Sequence, residues 1–231
     1  MSHMEITDSR LLHNGGSANR HVGCVGFVFG SGKLDNVTMD GCFSTGNGGA
    51  ATIYTPFKVE FTNTVIRKSQ AAVGGAFWIM ESPDVAIQHV EIDGCKATGD
   101  GGGVAILAGA VVALTEVTMR DSHARGSGGC LSAAGSTLTL HHVVFDGCTG
   151  TDGGGLFVGA LANVVASHLT ISDCRVVNDG KGGGLAISGG VVHLHNGSIS
   201  SDLMRLECIQ ISECTATRGG LIDVTGGAGR T

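Results

Sequence analysis

Short apolar stretches alternate with polar residues along most of the chain. The clearest run is Val85-Ala86-Ile87-Gln88-His89-Val90-Glu91-Ile92, and Leu138 to Phe145 and Val164 to Ile171 follow the same rule. Period-two alternation puts every second side chain on one face of a strand, so one face is buried and the other is wet. Each long run is preceded by a shorter, more uniformly apolar one, such as Val104-Ala105-Ile106-Leu107, Leu156-Phe157-Val158 or Leu185-Ala186-Ile187. No window holds the 3.6-residue period of a helix over three turns. The pattern predicts an all-β chain of short strands.

The strands recur with a marker. A glycine pair stands before the short apolar strand at Gly48-Gly49, Gly74-Gly75, Gly101-Gly102, Gly128-Gly129, Gly153-Gly154, Gly182-Gly183 and Gly219-Gly220, with a degenerate copy near Cys24. The spacings are roughly 25 to 29 residues, and roughly 37 for the last, a period that belongs to solenoids. In each repeat the long strand ends at a polar corner, Asp-Gly-Cys or a variant. A small-residue stretch such as Lys96-Ala97-Thr98 then leads to the next glycine pair. A repeat of roughly 27 residues holding three short strands and three turns closes on itself, and equivalent strands then pair in parallel about 4.8 Å apart. The expected fold is an all-β, right-handed parallel β-helix of about eight coils, the hand following from the preference for right-handed parallel crossovers.

Composition narrows the classes. Forty of 231 residues are glycine, yet with 2 prolines and no Gly-X-Y period the chain is not collagen-like, and 42% hydrophobic residues set it apart from disordered chains. The net charge of −6 and the lack of a basic run exclude a nucleic-acid partner at this stage. No stretch of 18 apolar residues predicts a membrane span. Residues 1–4 read as an expression-vector remnant, and 5–231 as one segment cut from a longer solenoid, because neither end shows a cap. Uncapped ends predict end-to-end self-association through unpaired strand edges. The long last interval is read as an insertion over residues 196–206, a protruding loop or short helix containing Leu203-Met204-Arg205-Leu206.

The repeat of Gly-Gly-Gly-Leu-Ala-Ile (Gly182 to Ile187), an alternating strand, then Ile-Ser-Asp-Cys (Ile171 to Cys174) or Ile-Asp-Gly-Cys (Ile92 to Cys95) resembles the pectin-lyase-like right-handed β-helix superfamily. Gly48-Gly49-Ala50-Ala51, Gly74-Gly75-Ala76-Phe77 and Phe61-Thr62-Asn63 are similar to the repeats of chlamydial polymorphic outer-membrane proteins. The resemblance implies a β-helix found in large surface proteins and adhesins, an extracellular or cell-surface location, and a glycan or protein ligand on the solenoid wall. It also implies a second class, carbohydrate-active enzymes (lyase, hydrolase or epimerase). The Asn-Thr-Asp, Asp-Asp, Gly-His-Gly and Arg-Ile-Lys elements of that superfamily's polygalacturonases do not occur in this chain. The reading therefore leans to a structural or adhesive module rather than an enzyme.

Four residue sets carry candidate chemistry. Cys42, Cys95, Cys148, Cys174 and Cys214 share one repeat position, with Ser69 and Ser122 between them. Side chains stacked in adjacent coils point the same way, which is poor geometry for a disulfide, so these are read as an inward ladder, with disulfide or metal use as the alternative. Asp40, Asp93, Asp121, Asp146, Asp173 and Glu213 are read as one column of turn residues, with calcium binding as the alternative. Asp100, Asp152, Asp179 and Lys181 near the glycine corner are the catalytic candidates, Asp100 and Asp152 standing two coils and roughly 10 Å apart. His89, Glu116, His142 and His168 form an outward column that offers metal ligands or a pH sensor. No cofactor other than calcium is implied. The sequons Asn36-Val37-Thr38 and Asn196-Gly197-Ser198 are of a type frequent by chance.

Overall fold

The computed structural model describes residues 3–12, 23–55, 57–177, 180 and 182–200, together with the strands Met204–Leu206, Ile209–Ser212, Thr215–Ala216 and Ile222–Val224. Every strand pairing among them is parallel, and equivalent segments of successive repeats stack in register into three ladders. The result is a parallel β-solenoid of about seven turns, close to the eight expected, with no helix among the described residues. None of its elements is a helix long and apolar enough to cross a membrane.

Each ladder follows from one part of the repeat. The short apolar runs form a 9-stranded ladder that includes Ala51–Tyr54, Phe77–Met80, Val104–Leu107 and Leu131–Ala134. The alternating runs form a 14-stranded ladder through Ser31–Asp40, Val85–Asp93 and Val111–Arg120. The small-residue stretches form a 5-stranded ladder from Gln70–Ala71 through Lys96–Ala97, His123–Ala124 and Thr149–Gly150 to Arg175–Val176.

Alternation sends like residues inward at each level. Leu34, Phe61, Ile87, Leu114, Leu140, Ala166 and Leu194 form one interior column, and Met39, Ile66, Ile92, Met119, Phe145, Ile171 and Ile199 another. All are buried. Each large apolar side chain so buried stabilises by about 1.5–3 kcal/mol, and the columns make one uninterrupted core. Phe27, Phe61 and Phe77 thicken it at the early coils, with ring centroids 5.9 Å and 4.7 Å apart in edge-on contacts.

The glycine pair has two separate causes. Gly101 has φ +67°, which L side chains rarely adopt, while Gly102 sits where a Cβ would collide with the carbonyl oxygen of Gly129 and the backbone of His123. The first glycine turns the chain and the second lets the coils close up.

Two segments set apart in the sequence lie in ladder strands. His3 and Met4, set aside as a vector remnant, lie in the strand His3–Leu12, opposite Ser31 and Gly32, and Met4 packs on the core. The segment 196–206, expected as a protruding loop or short helix, contains the strands Ser198–Ser200 and Met204–Leu206, stacked on Thr170–Ser172 and Leu185–Ile187. Met204–Leu206 in turn pairs with Ile222–Val224. The long interval after Gly183 thus holds ladder strands, among them Met204–Leu206, a short strand that no glycine pair announces.

Candidate functional site

The long strands bend at one residue, and among the described residues that position has a left-handed backbone throughout. Asp8, Asn36, Asn63, His89, Glu116, His142, His168 and Asn196 occupy the equivalent position, with φ between 47° and 55°. Asn, Asp and His are enriched in this region because their short polar side chains bond locally. The preceding column matters as well: Asp35, Thr62, Gln88, Thr115, His141, Ser167 and His195 are in register there. Asn36 Nδ2 donates to Asp8 Oδ1 at 2.6 Å, and Asn63 Nδ2 to Asp35 Oδ1 at 2.9 Å. Hydrogen bonds from Asn63 and Thr62 hold the Asp35 carboxyl below its usual range.

The histidine column divides in two. His89 Nε2 lies 3.3 Å from Glu116 Oε2, an exposed pair. His142 and His168 stack face to face, with centroids 4.3 Å apart and planes 11° from parallel. His141 joins them from the neighbouring column, 4.1 Å from the His142 ring and 5.7 Å from that of His168. Ligand atoms of His141, His142 and His168 all lie within 4.8 Å of one another. His141 Nδ1 is 2.8 Å from Ser167 Oγ. An open depression beside the rings is lined by His142, His168, Thr170 and Asn196. Desolvation, and then the charges of His142, His141 and His195, hold the His168 imidazole below its ordinary range. Sequence reading found His142 and His168 but missed His141, which stands one position off the column it followed.

The acidic corner is two columns, not one. Asp40, Asp93 and Asp146 share a position with Arg67, Arg120 and Ser172, alternating along the axis. Asp121 and Asp173 stand one residue later, in line with Gly41, Lys68, Gly94 and Gly147, all of them left-handed. The offset arises because the corner reads Asp-Gly-Cys in some coils and Arg-Asp-Ser or Ser-Asp-Cys in others. Exposed ion pairs run along this face: Arg10 meets Asp40 at 3.5 Å, and Arg67 and Arg120 each reach Glu91 at 3.9 Å. Such exposed pairs contribute about 0–1 kcal/mol each. Glu213 lies outside the described residues.

Of the catalytic candidates, Asp100 and Asp152 are two coils apart, with Ser127 between them. Asp100 Oδ1 accepts the backbone N–H of Ser127 at 2.7 Å, so its carboxylate fastens the turn of the next coil. Asp179 and Lys181 lie outside the described residues. On the 5-stranded wall, a groove missed in the sequence crosses four coils at Phe43, Gln70, Lys96 and His123, with Arg125 beside them and no carboxylate in its lining.

The cysteines correct the ladder reading. Cys42, Cys95, Cys148 and Cys174 are buried at one position, and Cys214 lies outside the described residues. Cys42 is bonded to Cys24 and Cys148 to Cys130, each pair spanning 18 residues, with Cα atoms 5.6 Å and 5.5 Å apart. The objection to bridging neighbours in one column stands, but each bond runs instead between the start and the corner of its own coil. Cys95 and Cys174 are free. Ser69, Cys95 and Ser122 each donate to the carbonyl two residues earlier, which explains how Ser and Cys exchange there.

Burial, the first cause in each case, pushes the Cys95 and Cys174 thiols up to about 12 from an ordinary 9.0. Because the folded value is raised, their stabilising contribution is complete below pH 9, the unfolded value, and is lost as pH rises toward 12. Stability measured by urea unfolding is therefore expected to be flat from pH 7 to 9 and to fall above that. Both thiols are expected to resist iodoacetamide at pH 8 until the chain is unfolded, and rapid labelling of the native chain would contradict their burial.

Compared with family models, with curated proteins and with solved structures, the chain gives no match. The fold defines the class, a disulfide-bonded parallel β-solenoid.

Proposed function

We propose that the chain is a structural and adhesive β-helix module of a larger protein that works outside the reducing cytosol. One observation carries the reading: four wall carboxylates take part in contacts between coils. Asp100 holds Ser127, Asn36 holds Asp8, Asn63 holds Asp35 and Ser172 holds Asp146, each across one step of the axis. A catalytic carboxylate must be free to meet substrate, whereas these are rungs. The two disulfides support an oxidising compartment, since such bonds persist there and are rare in the cytosol. The resemblance of the repeat to the pectin-lyase-like superfamily supports the same reading, with the surface-protein branch preferred to the enzymes.

The groove on the 5-stranded wall favours an adhesive role toward an anionic polysaccharide. Lys96, His123 and Arg125 line it although the whole chain carries −6, so attraction there is local and screened by salt. Calorimetry with polygalacturonate at low salt is expected to show binding that weakens at least tenfold, about 1.4 kcal/mol, in the double variant Lys96→Glu/Arg125→Glu. The same mixtures, with and without calcium, followed by NMR for shortened chains or unsaturated uronates, are expected to show no turnover. A product would overturn the structural reading in favour of a carbohydrate-active enzyme, and unchanged binding by the double variant would remove the groove from it.

A further inference from the structure

We propose that His141, His142 and His168 form a surface site for a divalent transition ion of the zinc class. Three imidazoles from two consecutive coils converge, with ligand atoms within 4.8 Å of one another. Imidazole nitrogen is the ligand such ions take readily, in preference to calcium or magnesium. Bonds of 2.0–2.1 Å in tetrahedral geometry place ligand atoms roughly 3.4 Å apart, so the rings must close by up to about 1.4 Å. Rotation of surface side chains supplies that movement without touching the backbone.

The base of the site is rigid. His142 and His168 stand on left-handed corners in successive rungs of a hydrogen-bonded ladder, which fixes the spacing of their backbones. Ser167 Oγ, 2.8 Å from His141 Nδ1, is an outer partner of the kind that orients metal-bound imidazoles. Metal at Nε2 selects the tautomer in which Nδ1–H donates to the serine. The open depression beside the rings leaves room for a water or another small ligand in the fourth position.

The corner conformation does not by itself explain the cluster. Asn fills the same corner at Asn36, Asn63 and Asn196, and the third imidazole, His141, is not at a corner at all. This also gives the right substitution for a test. His142→Asn and His168→Asn remove ligands while keeping a residue that tolerates the left-handed backbone.

The experiment is calorimetric titration of the full chain with zinc chloride at pH 7.5. One zinc per chain is expected at this site, with affinity falling at least tenfold in each Asn variant and unchanged in His89→Asn, a corner histidine two coils away. No zinc binding, or binding that survives in the His142→Asn/His168→Asn double variant, overturns the proposal. Should a variant fail to fold, imidazole NMR of the unsubstituted chain decides. Zinc is expected to shift the ring signals of His141, His142 and His168 and leave His123 in place, and shifts confined to other histidines reject the site.

Discussion

Gly102→Ala is expected to cost about 3 kcal/mol or more, enough to abolish the cooperative folding of the central coils. The added Cβ would meet the carbonyl oxygen of Gly129 and the backbone of His123. All of these are main-chain atoms, held by ladder hydrogen bonds on both sides: Gly102 N–H donates to Gly128 O at 3.1 Å, and Gly129 N–H to Gly153 O at 3.1 Å. A flexible side chain could move aside, but here the coils themselves must separate. Nearest-neighbour coupling is what stabilises a solenoid, so one opened joint weakens every coil beyond it. Gly109→Ala is the control. Gly109 also has a positive φ, +75°, but its added Cβ meets nothing within 4 Å. It is expected to cost only the backbone strain, about 1 kcal/mol. Urea unfolding of the two variants separates the effects, and equal costs would mean that conformation, not close approach, is why the second glycine is required.

The contrast also marks what a sequence of this kind declares. The period, the three strands per coil and the inward columns were legible because they repeat: Leu34, Phe61, Ile87 and Leu114 announce one another by spacing. The His89, Glu116, His142 and His168 column was legible for the same reason. Features that depend on a shift of one residue were not. Asp121 and Asp173 were merged with Asp40 and Asp146 because a corner of two adjacent positions accepts an acid at either. His141 was passed over because it lies in the neighbouring column, although its ring meets His142. Phe43, Gln70, Lys96 and His123 are far apart in sequence and form a groove only when the coils stack. The strand Met204–Leu206 escaped because it starts without the glycine pair that served as the marker.

The disulfides were missed by looking along the axis rather than around the coil, and their removal is the sharpest energetic test of the fold. The double variant Cys130→Ala/Cys148→Ser is expected to lose about 3 kcal/mol, the value for a cross-link closing a loop of this length. The substitutions are chosen from the protein itself. Ala50 and Ser69 hold the equivalent positions in another coil, both buried without strain on the ladder, so the replacement leaves no misfit and the loss reports the cross-link. A single Cys148→Ser would be ambiguous, since the Cys174 sulfur lies within 4.8 Å of those of Cys130 and Cys148 and a freed Cys130 could pair with it. The double variant removes that route and leaves Cys174 as a thiol pushed up to about 12, a poor nucleophile. Because the bond acts mainly on the unfolded chain, the variant should show a steeper dependence on urea as well as a lower midpoint, its unfolded state exposing more surface. The unsubstituted chain unfolded in reductant should approach the same midpoint, after allowance for the second bond, Cys24–Cys42. An unchanged midpoint would mean that the stacked coils already restrict the chain as much as the cross-link does, and that the stability of this solenoid resides in its ladders and glycine joints alone.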